Sequence, residues 1–244
     1  MKNPRTSCSP GFSLIELLCV IAIIGLLAAV AFPVLTKAKE TSKKASCQSN
    51  LHQISRGFLA YLADNNDTFP CNGDPYLWMG RRWRWPLKKY IALTANRSPI
   101  DPDNPNLSIG PKNTILLCPA DSEAPTKWDG TSYAYSAAFY HSPQQVNSMT
   151  TDQLWKAQSP SPPPIAQKSG AVAHPSKKAM LGEWMSNHSS LRTNWWDAEK
   201  NGAHNYVFAD GHIAYIAKIN IMPAVSGLPD VNLTKDGIKG FDVK

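Results

Sequence analysis

Phe12 to Leu35 reads FSLIELLCVIAIIGLLAAVAFPVL, and from Leu17 to Phe32 it carries no charge and no strong hydrogen-bonding side chain. A hydrocarbon core about 30 Å thick is crossed by about 20 helical residues at 1.5 Å each, so the stretch is long enough to span. Lys2 and Arg5 precede it, a short basic leader of the kind kept on the cytoplasmic side. Two fates fit this composition. One is a cleavable secretory signal with Ala29-Val30-Ala31 as a small-residue cleavage site; the other is a retained anchor. Glu16 argues for retention, because an acidic group near the bilayer centre costs about 2.5–3.5 kcal/mol and a discarded signal has no use for it. Gly11-Phe12 directly precedes Ser13-Leu14-Ile15-Glu16, so a cut after Gly11 makes Glu16 the fifth mature residue. There its carboxylate can pair with the new α-amino group of a neighbouring subunit, neutralising both charges.

Outward from this segment, Pro33 removes one helical donor and is expected to loosen the helix without ending it. Leu51, Ile54, Phe58 and Leu62 then recur at spacings of three and four, which predicts an amphipathic continuation. Lys37, Lys39, Lys43 and Lys44 make the membrane-proximal part basic, as a solvated face or as a contact to anionic headgroups. The polar cluster Asp64-Asn65-Asn66-Asp67 stops the helix. The organisation is thus a leader over residues 1–11, a transmembrane helix over 12–35, its soluble continuation over 36–64 and a β-rich head over 65–244. Strands are expected at Thr114–Leu117, Tyr133–Phe139, Lys178–Leu181, Asn205–Ala209 and His212–Ile219. Asp210-Gly211 suits a two-residue type I′ hairpin turn, which places Phe208 opposite Ile213 and Tyr206 opposite Tyr215. Ser159 to Pro164 reads as a polyproline surface loop. The fold class is α+β, a long half-transmembrane helix packed on an antiparallel sheet with long loops.

The chain has 244 residues, 43% of them apolar, with eight Trp, eight Tyr and seven Phe, too much buriable surface for a disordered chain. Its formal charge of +7 falls to +5 once Lys2 and Arg5 are removed; it permits a polyanionic partner without requiring one.

Gly11-Phe12-Ser13-Leu14-Ile15-Glu16-Leu17-Leu18 resembles the cleavage and methylation motif of type IV prepilins and type II secretion pseudopilins, with Gly25 and Pro33 also at positions common in that family. The resemblance implies a membrane peptidase that cuts after Gly11 and methylates the Phe12 amine. It also implies a subunit that is not an enzyme, held single-pass in a bacterial inner membrane with its head in the periplasm or on an external filament. Its implied partners are the prepilin peptidase, other pilin or pseudopilin subunits and an inner-membrane assembly platform. In the head, Cys47-Gln48-Ser49-Asn50-Leu51-His52-Gln53-Ile54, Leu117-Cys118-Pro119-Ala120-Asp121 and Asn205 to His212 are similar to signatures of a large pseudopilin-like family. The last departs from the His-x9-Asp-Gly pattern, because Lys200 stands where that family has histidine.

The head offers weaker chemistry. Arg81-Arg82-Trp83-Arg84-Trp85, followed by Lys88-Lys89-Tyr90, interleaves cations with aromatics. That is either a surface for nucleic acid or glycan, as a tip or minor pilin would use, or a set of core aromatics whose cations face water. The resemblance adds calcium as a cofactor candidate through Asp210, with Asp197, Asp230 and Asp236 as further oxygen donors; no known loop spacing joins them, and a turn explains Asp210 without a metal. Six scattered histidines form no helical zinc pair, and no nucleophile elbow, phosphate loop or Cys-x-x-Cys is present, so the remaining alternative of an exported enzyme has no catalytic group behind it. Cys47, Cys71 and Cys118 allow one bridge whose pairing the sequence does not choose.

Overall fold

Helix α1 runs unbroken from Leu14 to Asp64, with Pro33 inside it. In the computed structural model, the described residues are 13–71, 82–93, 114–124, 130–154, 162–194 and 201–244. The chain divides into two units, Met1–Ser42 and Lys43–Lys244. In the first, fourteen large apolar side chains between Leu14 and Leu35 stand 45–81% exposed. In the second, the expected stripe of Leu51, Ile54, Phe58 and Leu62 is buried, joined by Cys47. The helix ends as its polar cluster predicts: Asn65 and Asp67 donate to the Leu62 carbonyl, and Asn66 and Asp67 take positive φ of 51° and 53°. Asn and Asp tolerate that left-handed region better than most residues.

Four strands, β1 (Tyr133–Tyr135), β2 (Ala179–Glu183), β3 (Ala203–Phe208) and β4 (Ile213–Ala217), form one antiparallel sheet in the order β1-β2-β3-β4. Every residue of β1, β2 and β3 is buried, so the period-two signal of a half-exposed sheet is missing from them. The head half of α1 covers one face. Phe58 packs 5.1 Å from the Tyr135 ring, Gln48 donates to Asn205 at 3.0 Å, and the Lys44 ammonium lies 3.2 Å from the Tyr215 ring centre. A short helix α2 (Pro143–Ser148) opens with a Ser142–Gln145 capping box.

Three local expectations are corrected. Thr114–Leu116 is a 3₁₀ turn, not a strand; its link to the sheet region is one backbone bond, Ser132 to Leu116, and a short apolar run does not by itself select strand. The strand expected over Tyr133–Phe139 stops at Tyr135, because Ser136 caps a 3₁₀ turn at Ala137–Phe139 and donates to the Val231 carbonyl. The β3–β4 turn holds three residues instead of two. Gly211 has φ of 89° while Asp210 does not take positive φ, and a type I′ turn needs it at both. Phe208 therefore pairs with the His212 carbonyl, and the register slips by one: Val207 meets Ile213, Tyr206 meets Ala214 and Asn205 meets Tyr215. That slip sets Asn205 and Tyr215 side by side, and both meet α1.

Candidate functional site

The amino-terminal element begins with a reciprocal cap that the sequence reading overlooked. The backbone and hydroxyl of Ser13 both donate to Glu16 Oε2, at 2.9 and 2.8 Å, and the Glu16 N–H donates back to Ser13 Oγ at 3.3 Å. This is a capping box, and its Ser-x-x-Glu spacing ahead of an apolar run was the available signal. Glu16 thus holds the first turn as a helix in addition to any role between subunits. Gly11 and Phe12 lie outside the described residues, as does the leader. Beyond the box the helix is long and apolar enough to cross a membrane, and its apolar stretch is exposed.

The basic-aromatic stretch does not form a continuous surface. Arg81 lies outside the described residues. Trp83 is 0% and Arg84 1% exposed; Trp83 stacks 5.9 Å from Phe58 and donates to the Tyr133 carbonyl at 3.3 Å. Two of the five residues expected to contact nucleic acid or glycan are therefore core, because the turns at 82–92 fold inward over α1. Gly57 makes room for them: a β-carbon there would stand 2.5 Å from Ile91 Cγ2. Arg82 and Trp85 are half-buried. Trp85, Lys88, Lys89 and Tyr90 line an open groove of about 630 Å³ with Tyr61. Tyr90 and Lys89 are already engaged there, both reaching Asp64, at 2.9 and 3.2 Å.

Asp210 accepts from the His212 backbone at 3.1 Å and sits 2.6 Å from His212 Nδ1, the turn role expected of it. Asp197 lies outside the described residues. Asp230 is buried and accepts from the Asn232 N–H at 2.8 Å, whereas Asp236 accepts from Asn147. Among the described residues these carboxylates form no group with metal-ligand proximity. The group that does form is one no local spacing reveals: Cys47, Cys118, Glu183 and His188 bring one donor atom each within 4.8 Å of one another.

Cys47 and Cys118 form the disulfide left open by the sequence, and Cys71 is not part of it. The bridge ties α1 to the segment before β1 across a separation of 71 residues, a loop whose closure is worth roughly 4 kcal/mol in the chain-entropy account. His188 Nε2 stands 3.3 Å from Cys118 Sγ and 3.2 Å from Glu183 Oε1. Glu183 Oε2 accepts from both the backbone and the side-chain amide of Asn205, each at 2.9 Å, and Gln48 orients that amide. The β2–β3 pairing, with Gly182 opposite Tyr206, puts Asn205 beside Glu183.

These features give the chain an exposed apolar amino-terminal helix and an α+β head. The chain matches the family described as the prokaryotic N-terminal methylation motif over residues 7–32. It is also 49% identical over 64 residues to the Type IV major pilin protein PilA of Myxococcus xanthus (strain DK1622). That similarity covers 26% of this chain and 28% of the relative, so the chain spans a little over a quarter of the curated relative it matches. No solved structure matches.

Proposed function

We propose that the chain is a structural subunit of a type IV pilus-like or type II secretion pseudopilus filament. A prepilin peptidase cuts it after Gly11 and methylates Phe12; the helix waits in the inner membrane with the head on the periplasmic side. An assembly platform then extracts it into a helical polymer, in which each subunit's helix packs against those of other subunits. The observation that carries this reading is the exposed apolar helix itself, headed by the Ser13–Glu16 box within the methylation motif. Each Leu, Ile, Val or Phe removed from water contributes about 1.5–3 kcal/mol, so fourteen such side chains require a bilayer or neighbouring helices as partner. A head-to-tail repeat of one apolar helix generates an open filament.

Two variants separate the capping role of Glu16 from a charge-pairing role between subunits. Gln serves the capping box as Glu does but carries no charge. Glu16→Gln is expected to leave membrane insertion intact and to remove the subunit from sheared filaments, whereas Ser13→Ala, which weakens the cap and keeps the carboxylate, assembles. Recovery of Glu16→Gln in filaments at wild-type yield would contradict the pairing.

A further inference from the structure

The disulfide lies inside a set of donors that its redox chemistry alone does not require. Glu183 is 0% and the His188 side chain 4% exposed. Oε1 of Glu183 accepts no well-aligned hydrogen bond, although its twin Oε2 accepts two. It points at His188 Nε2, which also faces Cys118 Sγ. Burying a carboxylate beside a sulfur bridge is costly unless something cationic meets it. We propose that the reduced head binds one zinc ion through Cys47, Cys118, Glu183 and His188, and that the Cys47–Cys118 disulfide is the oxidised, metal-free form of the same staple.

The geometry and the chemistry agree. Zn–S of about 2.3 Å and Zn–N or Zn–O of about 2.0–2.2 Å in a tetrahedron set donor atoms roughly 3.3–3.8 Å apart. Cys118 to His188 and His188 to Glu183 already stand 3.3 and 3.2 Å apart. The two sulfurs must separate once their bond is broken, and the other donor pairs, all within 4.8 Å, must close to the tetrahedral spacing. Two thiolates, an imidazole and a carboxylate are all donors that zinc takes, four of them in a tetrahedron. The outer shell is in place as well: Asn205 fixes Glu183 through Oε2 and leaves Oε1 inward, Gln48 fixes Asn205, and Tyr215 donates to the His188 carbonyl at 2.8 Å. The ligands come from α1, the segment before β1, β2 itself and the turn that follows it, so the ion would hold the helix to the sheet as the disulfide does. The conversion balances: a phosphine reductant takes oxygen from water and passes two electrons to the disulfide, giving two thiols. Zinc then displaces their two protons.

The test uses the full chain in detergent with Cys19 and Cys71 (and Cys8, where the leader is retained) replaced by serine, reduced with a phosphine under argon and titrated with Co²⁺, then Zn²⁺. The expected result is one Co²⁺ per chain with thiolate charge-transfer and tetrahedral ligand-field bands, bleached by Zn²⁺, and a thermal midpoint that rises on loading. The oxidised chain gives no such bands. Asn205→Ala, which keeps all four ligands, weakens zinc about 10–100-fold, and the His188→Ala, Glu183→Gln double variant abolishes the tetrahedral bands. Cooperative melting of each oxidised variant shows that its fold is retained. Absence of the bands in the reduced, folded chain would overturn the site, as would bands that persist in a His188→Ala, Glu183→Gln double variant.

Discussion

Asp242 shows how much a single buried carboxylate can carry. It accepts from the Ala179 N–H at 2.7 Å, lies 3.1 Å from the Lys178 ammonium and bonds Thr234, all away from solvent. Burial pushes the Asp242 carboxyl up and the Lys178 ammonium down, while each opposes the other's shift by charge. Asp242→Asn leaves the ammonium without its counter-charge and is expected to cost about 3–5 kcal/mol in urea unfolding; a loss within ~0.5 kcal/mol would show that the pair is not closed. His141 supplies the pH dependence. Burial holds its imidazole down at about 4, against an ordinary 6.5. The unfolded chain therefore takes a proton that the fold refuses, and stability present above pH 6.5 is lost as pH falls toward 4, by about 3 kcal/mol at most. Asp230 works in the opposite sense: burial raises it to about 6, so its contribution is lost as pH rises from 3.8 through 6. His141→Gln removes the first effect and keeps the second, so acidification from pH 6.5 to 4 should destabilise the wild type more than the variant. Parallel stability curves over that range would refute the assignment.

At the scale of elements, α1 was legible because its signals are local. An apolar run, a stripe at spacings of three and four and a polar stop cluster each lie within a few residues of what they specify. Four of the five expected head strands were legible in place but not in extent or register, because what trims them is distant; the fifth, expected at Thr114–Leu117, is a 3₁₀ turn. Ser136 leaves the sheet to reach Val231, and the β3–β4 register follows from the φ of one residue, Asp210. The Cys47, Cys118, Glu183 and His188 cluster was not legible at all, since four separate segments meet there. The basic-aromatic stretch was ambiguous for a related reason: whether Trp83 faces out or in depends on the Phe58 ring it stacks on. Gly57 tests that packing. Alanine is the better helix former by about 1 kcal/mol, but its β-carbon would meet Ile91 Cγ2 at 2.5 Å, on a side chain stiff at χ1. Gly57→Ala should therefore lower stability by about 1–3 kcal/mol; a higher thermal midpoint would mean that the 82–92 turns do not seat against α1 as described.

For the whole molecule, the division of labour follows the two units of the chain. The described residues of 43–244 form a hydrophobic core of their own that a disulfide closes, whereas the first unit leaves fourteen large apolar side chains for a partner. A globular chain gains nothing from such a helix, and a polymer subunit uses it twice, first in the bilayer and then in the filament. Everything in that account depends on the helix being kept and the leader being lost. The direct measurement is mass spectrometry of the mature amino terminus, taken from a membrane or sheared-filament fraction of the native host. The account predicts a chain that begins at N-methylated Phe12. A chain that begins near Phe32, after a cut at the Ala29-Val30-Ala31 site, would show that the helix is a discarded signal and would contradict it.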